Sequence, residues 1–394
     1  MAIGPATALR ADIEIHDGRI RSIEVRAEPV CTPQIGSRNE TLDLTGYLIL
    51  PGLINAHDHL EFNLFPRLGR GPYLNYREWA ADVYHPHESP LREHLAVPKA
   101  VRLWWGGLKN LLSGVTTVCH HNPYVADVFE NDFPVRVVKQ FRWSHSVAFG
   151  EDFGMQAAGT DETPYIIHAG EGTDAESAEE IHTLDRLGLL NSRTVIVHGV
   201  AADNSELSLL DIRGSGLIWC PTSNLFTLGK TLDHEVVNNF QRAALGSDSA
   251  LTAQGDLLDE IRFAHRDSRI DPGRLYSMVT EAAARVLRLR DGEGSVRVGA
   301  RADLIALKDL DRSPAETLME ASFAQVQASL LGGEIKLCSD EIRARCPESS
   351  KGGFEPVNVA DVRRWVRAPV AWMHAETQKH LGNNFCLAGR EVCS

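Results

Sequence analysis

Pro51-Gly52-Leu53-Ile54-Asn55-Ala56-His57-Asp58-His59 reads as a short buried strand that ends in two histidines spaced by one residue. Side chains at i and i+2 of a strand share a face, so both imidazoles can turn toward one point. The texture changes on either side of this stretch. Upstream, Asp12 to His16 and Ile20 to Val25 alternate around Asp17-Gly18, a hairpin signal. Thr41 to Leu44 and Tyr47 to Leu50 read as two further strands.

Downstream, apolar strands alternate with helices. A helix over about Pro98 to Ser113, stopped by Gly114, precedes the strand Val115 to Cys119. Tyr165 to His168 is a strand, followed by a helix whose expected capping box is Thr173 with Glu176. Thr194 to His198 and Gly216 to Cys220 are two more strands, and Ala243 to Ser247 leads into Asp248. Repeated strand–helix units predict a parallel sheet, and residues 51–294 have the length of a (β/α)₈ TIM-like barrel, about 250 residues. The barrel is expected to be irregular around its third and fourth strands, which must fit between Val118 and Ile166; Val135 to Lys139 and Ser146 to Phe149 are the candidates. After Gly294 strand texture returns in Ser295 to Val298 and Ala302 to Leu307. Residues 1–50 plus 295–394 are therefore expected to form a small discontinuous β-sandwich domain with a C-terminal tail, and Asp361 to His380 reads as a helix.

The composition narrows the partners. Forty-three per cent apolar and 24% charged residues suit a globular fold, and a net charge of -13 disfavours nucleic acid or an anionic membrane as partner. The N-terminus lacks the basic start and apolar core of a signal peptide, and no apolar run of about 18 residues is present. Seven scattered cysteines, Cys31 among them, without a C-x-x-C pair predict reduced thiols and a cytoplasmic setting. They also argue against the zinc deaminases that use a P-C-x-x-C ligand pair. Oligomeric state is open, a homodimer being the commonest arrangement.

Four more polar residues follow apolar strands: His168, His198, Asn224 and Asp248. Each alone is simply a satisfied residue at a strand end. Together, at the ends where such barrels carry their sites, they argue against a purely structural account. The ordered set Pro51 to His59, Gly114 to Val118, His168-Ala169-Gly170-Glu171, Val197-His198-Gly199, Pro221-Thr222-Ser223-Asn224, Gly246-Ser247-Asp248-Ser249 and Gly294 to Leu304 resembles the amidohydrolase superfamily over residues 10–335.

The resemblance implies a barrel with a composite β-sandwich and one divalent metal, zinc or iron, on His57, His59, His168 and Asp248. Glu171, three residues after His168, resembles the proton shuttle of the mononuclear deaminase-like branch; near a helix start it also suits the macrodipole. The rival two-metal branch needs a carboxylated lysine on the fourth strand, and Lys139 is the only lysine there. The implied mechanism has a metal-activated water, held by His198 and Asp248, attack an sp² carbon while protonated Glu171 donates to the adjacent ring nitrogen. His198 either holds that water or joins the metal. Phe62 and Trp79, in the loop after the first strand, are candidates to stack on a flat heterocycle, and His121 and Asn224 to bind substrate; Arg67 or Arg70 could hold an anionic group. The leading expectation is a hydrolytic deaminase of a small nitrogen heterocycle or nucleoside-like compound. Hydrolysis of a cyclic amide, a urea or a ring C–Cl bond with the same site is the alternative, and a non-catalytic binding protein on the same fold the third.

Overall fold

The computed structural model describes residues 1–26, 41–149 and 162–393. Cys31 and residues 150–161 of the compressed stretch lie outside them.

The N-terminal hairpin is present as β1 (Ala11–His16) and β2 (Arg19–Val25), and β3 (Tyr47–Pro51) follows. Thr41 to Leu44 is not a strand: Asp43 Oδ1 accepts the Thr45 N–H, and the chain turns there into Tyr47.

Eight parallel strands come next in chain order: β4 (Leu53–Asp58), β5 (Val115–His120), β6 (Arg136–Val137), β7 (Arg142–Ser146), β8 (Tyr165–Ala169), β9 (Thr194–His198), β10 (Gly216–Trp219) and β11 (Ala243–Leu245). Two ladders hold them, β4–β5–β6 and β7–β8–β9–β10–β11. The His57 carbonyl then accepts the N–H groups of Ser247 and Asp248, which brings the end of β11 back to β4. Gly246 permits this approach, since a Cβ there would lie 2.7 Å from His57 Cβ. Among the described residues no ladder joins β6 to β7. This is a TIM-like barrel, irregular where the sequence predicted it. The fourth strand is Arg142–Ser146 rather than Ser146 to Phe149, whose last three residues form a 3₁₀ turn.

Ile54, Ala56, Cys119, Ile166, Val195, Val197, Ile218 and Ala244 form the apolar barrel interior. Leu53, Ile167, Ile196, Leu217 and Leu245 join the layer shared with the helices. That alternation is what a strand with both faces buried requires. The helix after β8 is Ala175–Arg186, and its N-cap is Asp174, whose carboxylate accepts from Ser177 N, not Thr173.

Beyond the barrel, β12 (Leu304–Lys308) pairs antiparallel with β3. The sheet continues through β13 (Val326–Leu331), β14 (Glu334–Cys338), β15 (Glu355–Val359), β16 (Val362–Val366), β17 (Phe385–Leu387) and β18 (Arg390–Cys393), in the order β17-β18-β15-β16-β14-β13-β12-β3. Ser295 to Val298 is turn and coil, not strand. The run Asp361 to His380 is not one helix: its first part is β16, and the helix is Val370–Leu381.

Candidate metal and catalytic site

β4 does not alternate simply to its end. Ala56 belongs to the barrel interior, yet His57 also turns inward, and the pairing with β5 shifts register between Asn55 and Asp58. A β-bulge re-aims side chains in this way and is common beside active sites. With it, His57 and His59 face the axis while Asp58 faces outward.

The donors converge. His57 Nε2 lies 3.2 Å from His168 Nε2 and 3.6 Å from Asp248 Oδ1; His59 Nε2 is 3.7 Å from the same oxygen. Four donors around one ion with bonds of about 2.0–2.1 Å would sit about 3.3 Å apart. The far sides of the rings are held. His168 Nδ1 donates to the His145 carbonyl at 2.6 Å, which leaves its Nε2 lone pair facing the cluster. The Asn122 amide meets His59 Nδ1 at 3.2 Å, and the two ends of an amide are interchangeable by a flip. His57 Nδ1 is buried without a hydrogen-bond partner among the described residues.

Charge supports the same reading. Burial lowers His57 to about 4 and holds His168 well below the imidazole range, so both offer neutral lone pairs. Burial alone would raise Asp248; its hydrogen bond with His57 and the neighbouring imidazoles outweigh this and hold it well below the carboxylate range. A cluster of neutral imidazoles and an ionised carboxylate is the donor set of zinc or iron. The residues present therefore fit one divalent cation.

His198, at the end of β9, forms a second convergent group with His57 and Asp248. Its Nδ1 donates to Asn224 Oδ1 at 2.7 Å, and Asn224 Nδ2 donates to Thr231 Oγ1 at 3.2 Å. The amide of Asn224 thereby orients His198. Asp248 Oδ2 likewise accepts from Ser223 Oγ at 2.6 Å. His198 and Asp248 hold positive φ of 74° and 53°. Left-handed backbone at non-glycine residues costs about 1–3 kcal/mol and gathers at functional sites.

Glu171 Oε1 is 3.5 Å from His198 Nε2. Its loop is pinned by Gly170 N–H, which donates to Glu180 Oε2 at 2.9 Å, and by Tyr76 N–H, which donates to the Glu171 carbonyl. Burial, then the charges of Asp248 and Glu180, push the Glu171 carboxyl well above the usual range. An acid with a raised pKa beside the donor cluster is what a proton shuttle requires.

The remaining candidates divide. The His121 ring centroid is 4.3 Å from His168 and 5.0 Å from His57, so it borders the cluster. Phe62 lies beside His59, ring centroids 6.2 Å apart. Trp79 is engaged with its own loop, donating Nε1–H to the Leu68 carbonyl at 2.9 Å. His120 faces Glu61 at 3.5 Å, and Arg67 stacks on Phe226. Lys139 is exposed and paired with Glu130, so it does not bridge two metals. Sequence reasoning passed over Asp58, Lys109 and Asn110, which lie buried behind the ligands. The available signal was a Lys-Asn pair inside the mostly apolar run Leu103 to Leu112 of the helix Lys99–Leu112.

The sequence profile of the amidohydrolase family matches residues 147–335. A 5-methylthioadenosine/S-adenosylhomocysteine deaminase from Pyrococcus furiosus is 26% identical, over 85% of this chain and 92% of the relative. Among solved structures, a zinc-bound adenosine deaminase from Xanthomonas campestris superposes with a TM-score of 0.64 at 19% identity, covering 94% of this chain and 92% of the other. A zinc complex of atrazine chlorohydrolase from Arthrobacter aurescens superposes with a TM-score of 0.67 at 17% identity, covering 94% of each chain. These two likenesses bear on the fold.

Proposed function

We propose that this chain is an amidohydrolase-superfamily enzyme of the deaminase-like branch, a hydrolytic deaminase of a small nitrogen heterocycle or nucleoside-like compound; the family profile over residues 147–335 and the deaminase relative support this. We assign one zinc ion to His57, His59, His168 and Asp248, and catalytic roles to Glu171, His198 and Asp248. The observation that carries this is Glu171: a largely buried carboxyl, its pKa pushed up by that burial, set 3.5 Å from His198 beside the converging donors.

A divalent cation bound there would supply hydroxide near neutral pH. The chain's own residues do the rest. Asp248, held ionised, takes a proton from the attacking water; His198, fixed by Asn224, orients it. Glu171 gives its proton to the ring nitrogen of the amidine as the carbon becomes tetrahedral. Asp248 then passes the water's proton to the departing amine, and Glu171 takes back the proton of the new hydroxyl, so that C–NH₂ plus water becomes C=O plus ammonia. His121 and Phe62 flank the cluster, where they would shape the space for a flat substrate. A small molecule is the partner we assign. Among the described residues no helix is long and apolar enough to cross a membrane.

The test is release of ammonia by the zinc-loaded protein from 5′-methylthioadenosine, S-adenosylhomocysteine, adenosine and 5-methylcytosine, with chloride release from a chlorotriazine as a parallel arm. Ammonia from at least one amino-heterocycle, abolished by chelation and restored by zinc, is expected. Chloride alone would move the assignment to ring C–Cl hydrolysis, and neither product would overturn it.

A further inference from the structure

We infer that the buried Asp58–Lys109 ion pair is a positioning device: from behind the site it ties the two strand ends that carry His57, His59 and Asp248 to a single helix. The inference rests on the metal assignment above and extends it to residues that touch neither metal nor substrate.

Asp58 sits between two ligands in sequence but faces the helix Lys99–Leu112. Its Oδ2 accepts from Lys109 Nζ at 2.8 Å and from Asn110 Nδ2 at 2.8 Å; its Oδ1 accepts from Asn63 Nδ2 at 2.9 Å. Lys109 Nζ also donates to Ser247 Oγ at 3.0 Å, and Ser247 immediately precedes Asp248. Asn55 closes the ring, accepting Ser247 N–H at 3.1 Å on Oδ1 and placing Nδ2 2.9 Å from Asn110 Oδ1.

Asp58, Asn55, Asn63 and Asn110 are fully buried, and Lys109 and Ser247 are 3% exposed. The same helix packs elsewhere through Leu103, Leu108, Leu111 and Leu112. Apolar side chains could join helix to sheet at Asp58 as well, and replacing a buried ion pair by apolar residues is often neutral or stabilising. The polar network occurs where the first and last barrel strands meet. There the His57 carbonyl accepts the N–H groups of Ser247 and Asp248. Movement of Lys109 would thus be felt on both strand ends through Asp58 and Ser247. Partners outside the ligand shell commonly set metal affinity by about 10–100-fold.

The test is a zinc titration of the full-length protein against a chromophoric chelator, with thermal unfolding of the metal-free protein measured alongside. The variants are Lys109→Met, the charge-neutral pair Asp58→Asn with Lys109→Met, and Leu111→Ala as a packing control on the same helix. Lys109→Met should weaken zinc binding by about 10–100-fold and lower Tm. The double variant, free of an unpaired charge, should regain Tm while its zinc affinity stays low. Leu111→Ala should lose Tm and keep zinc affinity. Zinc affinity that simply follows Tm across the three, or wild-type affinity in Lys109→Met, would overturn the positioning role alone. Absence of stoichiometric zinc from the wild type would overturn the metal assignment and this inference with it. Should Lys109→Met not fold, the double variant decides: wild-type affinity there refutes the proposal.

Discussion

Glu171 sits on a loop whose backbone is bound on both sides of it, and burial, then the negative charges of Asp248 and Glu180, push its carboxyl well above the usual range. Glu171→Gln keeps the shape and removes the transferable proton. Turnover is expected to fall by about 10²–10⁴-fold, with zinc content unchanged by elemental analysis. The sign of the pH effect follows from the role. An acid must be protonated to donate, so wild-type kcat should fall as pH rises through the raised Glu171 pKa. That alkaline limb should be missing from the residual activity of Glu171→Gln; its persistence there would assign the limb to another group. Asn224 shows how a residue can be found in sequence without its hydrogen-bond partners. Its place after β10 marked it as part of the site, but only the fold shows both ends of its amide engaged, by His198 and Thr231.

At the scale of elements, strand ends were legible because the apolar runs and their terminal polar residues are both local signals. His57, His168, His198 and Asp248 could be collected from sequence because each follows its own strand. The bulge in β4 was not legible, since it depends on pairing with β5. The Asp58–Lys109 pair was not either: two residues 51 positions apart meet only after helix and strand pack. The fourth strand was displaced because Arg142-Trp143-Ser144-His145-Ser146 is too polar to read as a buried strand, though Ser144 and Ser146 are buried. A further acid belongs to this scale. Glu260, on the helix Leu257–Arg266, accepts from Thr222 N at 3.1 Å at the start of the helix Pro221–Leu228. Burial, opposed by the Thr222 hydrogen bonds, pushes its pKa up to about 8. The native state then keeps a proton that the unfolded chain releases near its ordinary value. The stability this gives is complete below about pH 4.5 and is lost as pH rises toward about 8. Glu260→Gln should remove a slope of about 1.4 kcal/mol per pH unit from that window, read by urea unfolding at several pH values. Parallel pH profiles in the two proteins would refute it.

At the scale of the molecule, the strands after Cys346 do more than lengthen a sheet. The turn between β17 and β18 reaches the barrel mouth: Ala388 N–H donates to the Asn63 carbonyl at 2.7 Å, and Gly255 N–H donates to the Ala388 carbonyl at 3.0 Å. Arg390 pairs with Asp256 at 2.9 Å and with Asp259, and lies over Phe323. The C-terminal hairpin is thereby joined to the loops that follow β4 and β11, the two strands that supply three of the four proposed ligands. Arg390→Ala would leave the buried Asp256 without its cation and Asp259 with Arg262 alone. A loss of about 1–3 kcal/mol is expected, measured by the urea midpoint; an unchanged midpoint would show the pairing to be incidental.

The central claim is that one divalent ion sits among His57, His59, His168 and Asp248. Crystals of the zinc-loaded protein, with diffraction recorded on both sides of the zinc absorption edge, test it most directly. The account predicts a single anomalous peak bonded to those four side chains, with Glu171 and His198 facing its open side and nothing at Lys139. Two peaks in the barrel, or a peak away from these four residues, would contradict it.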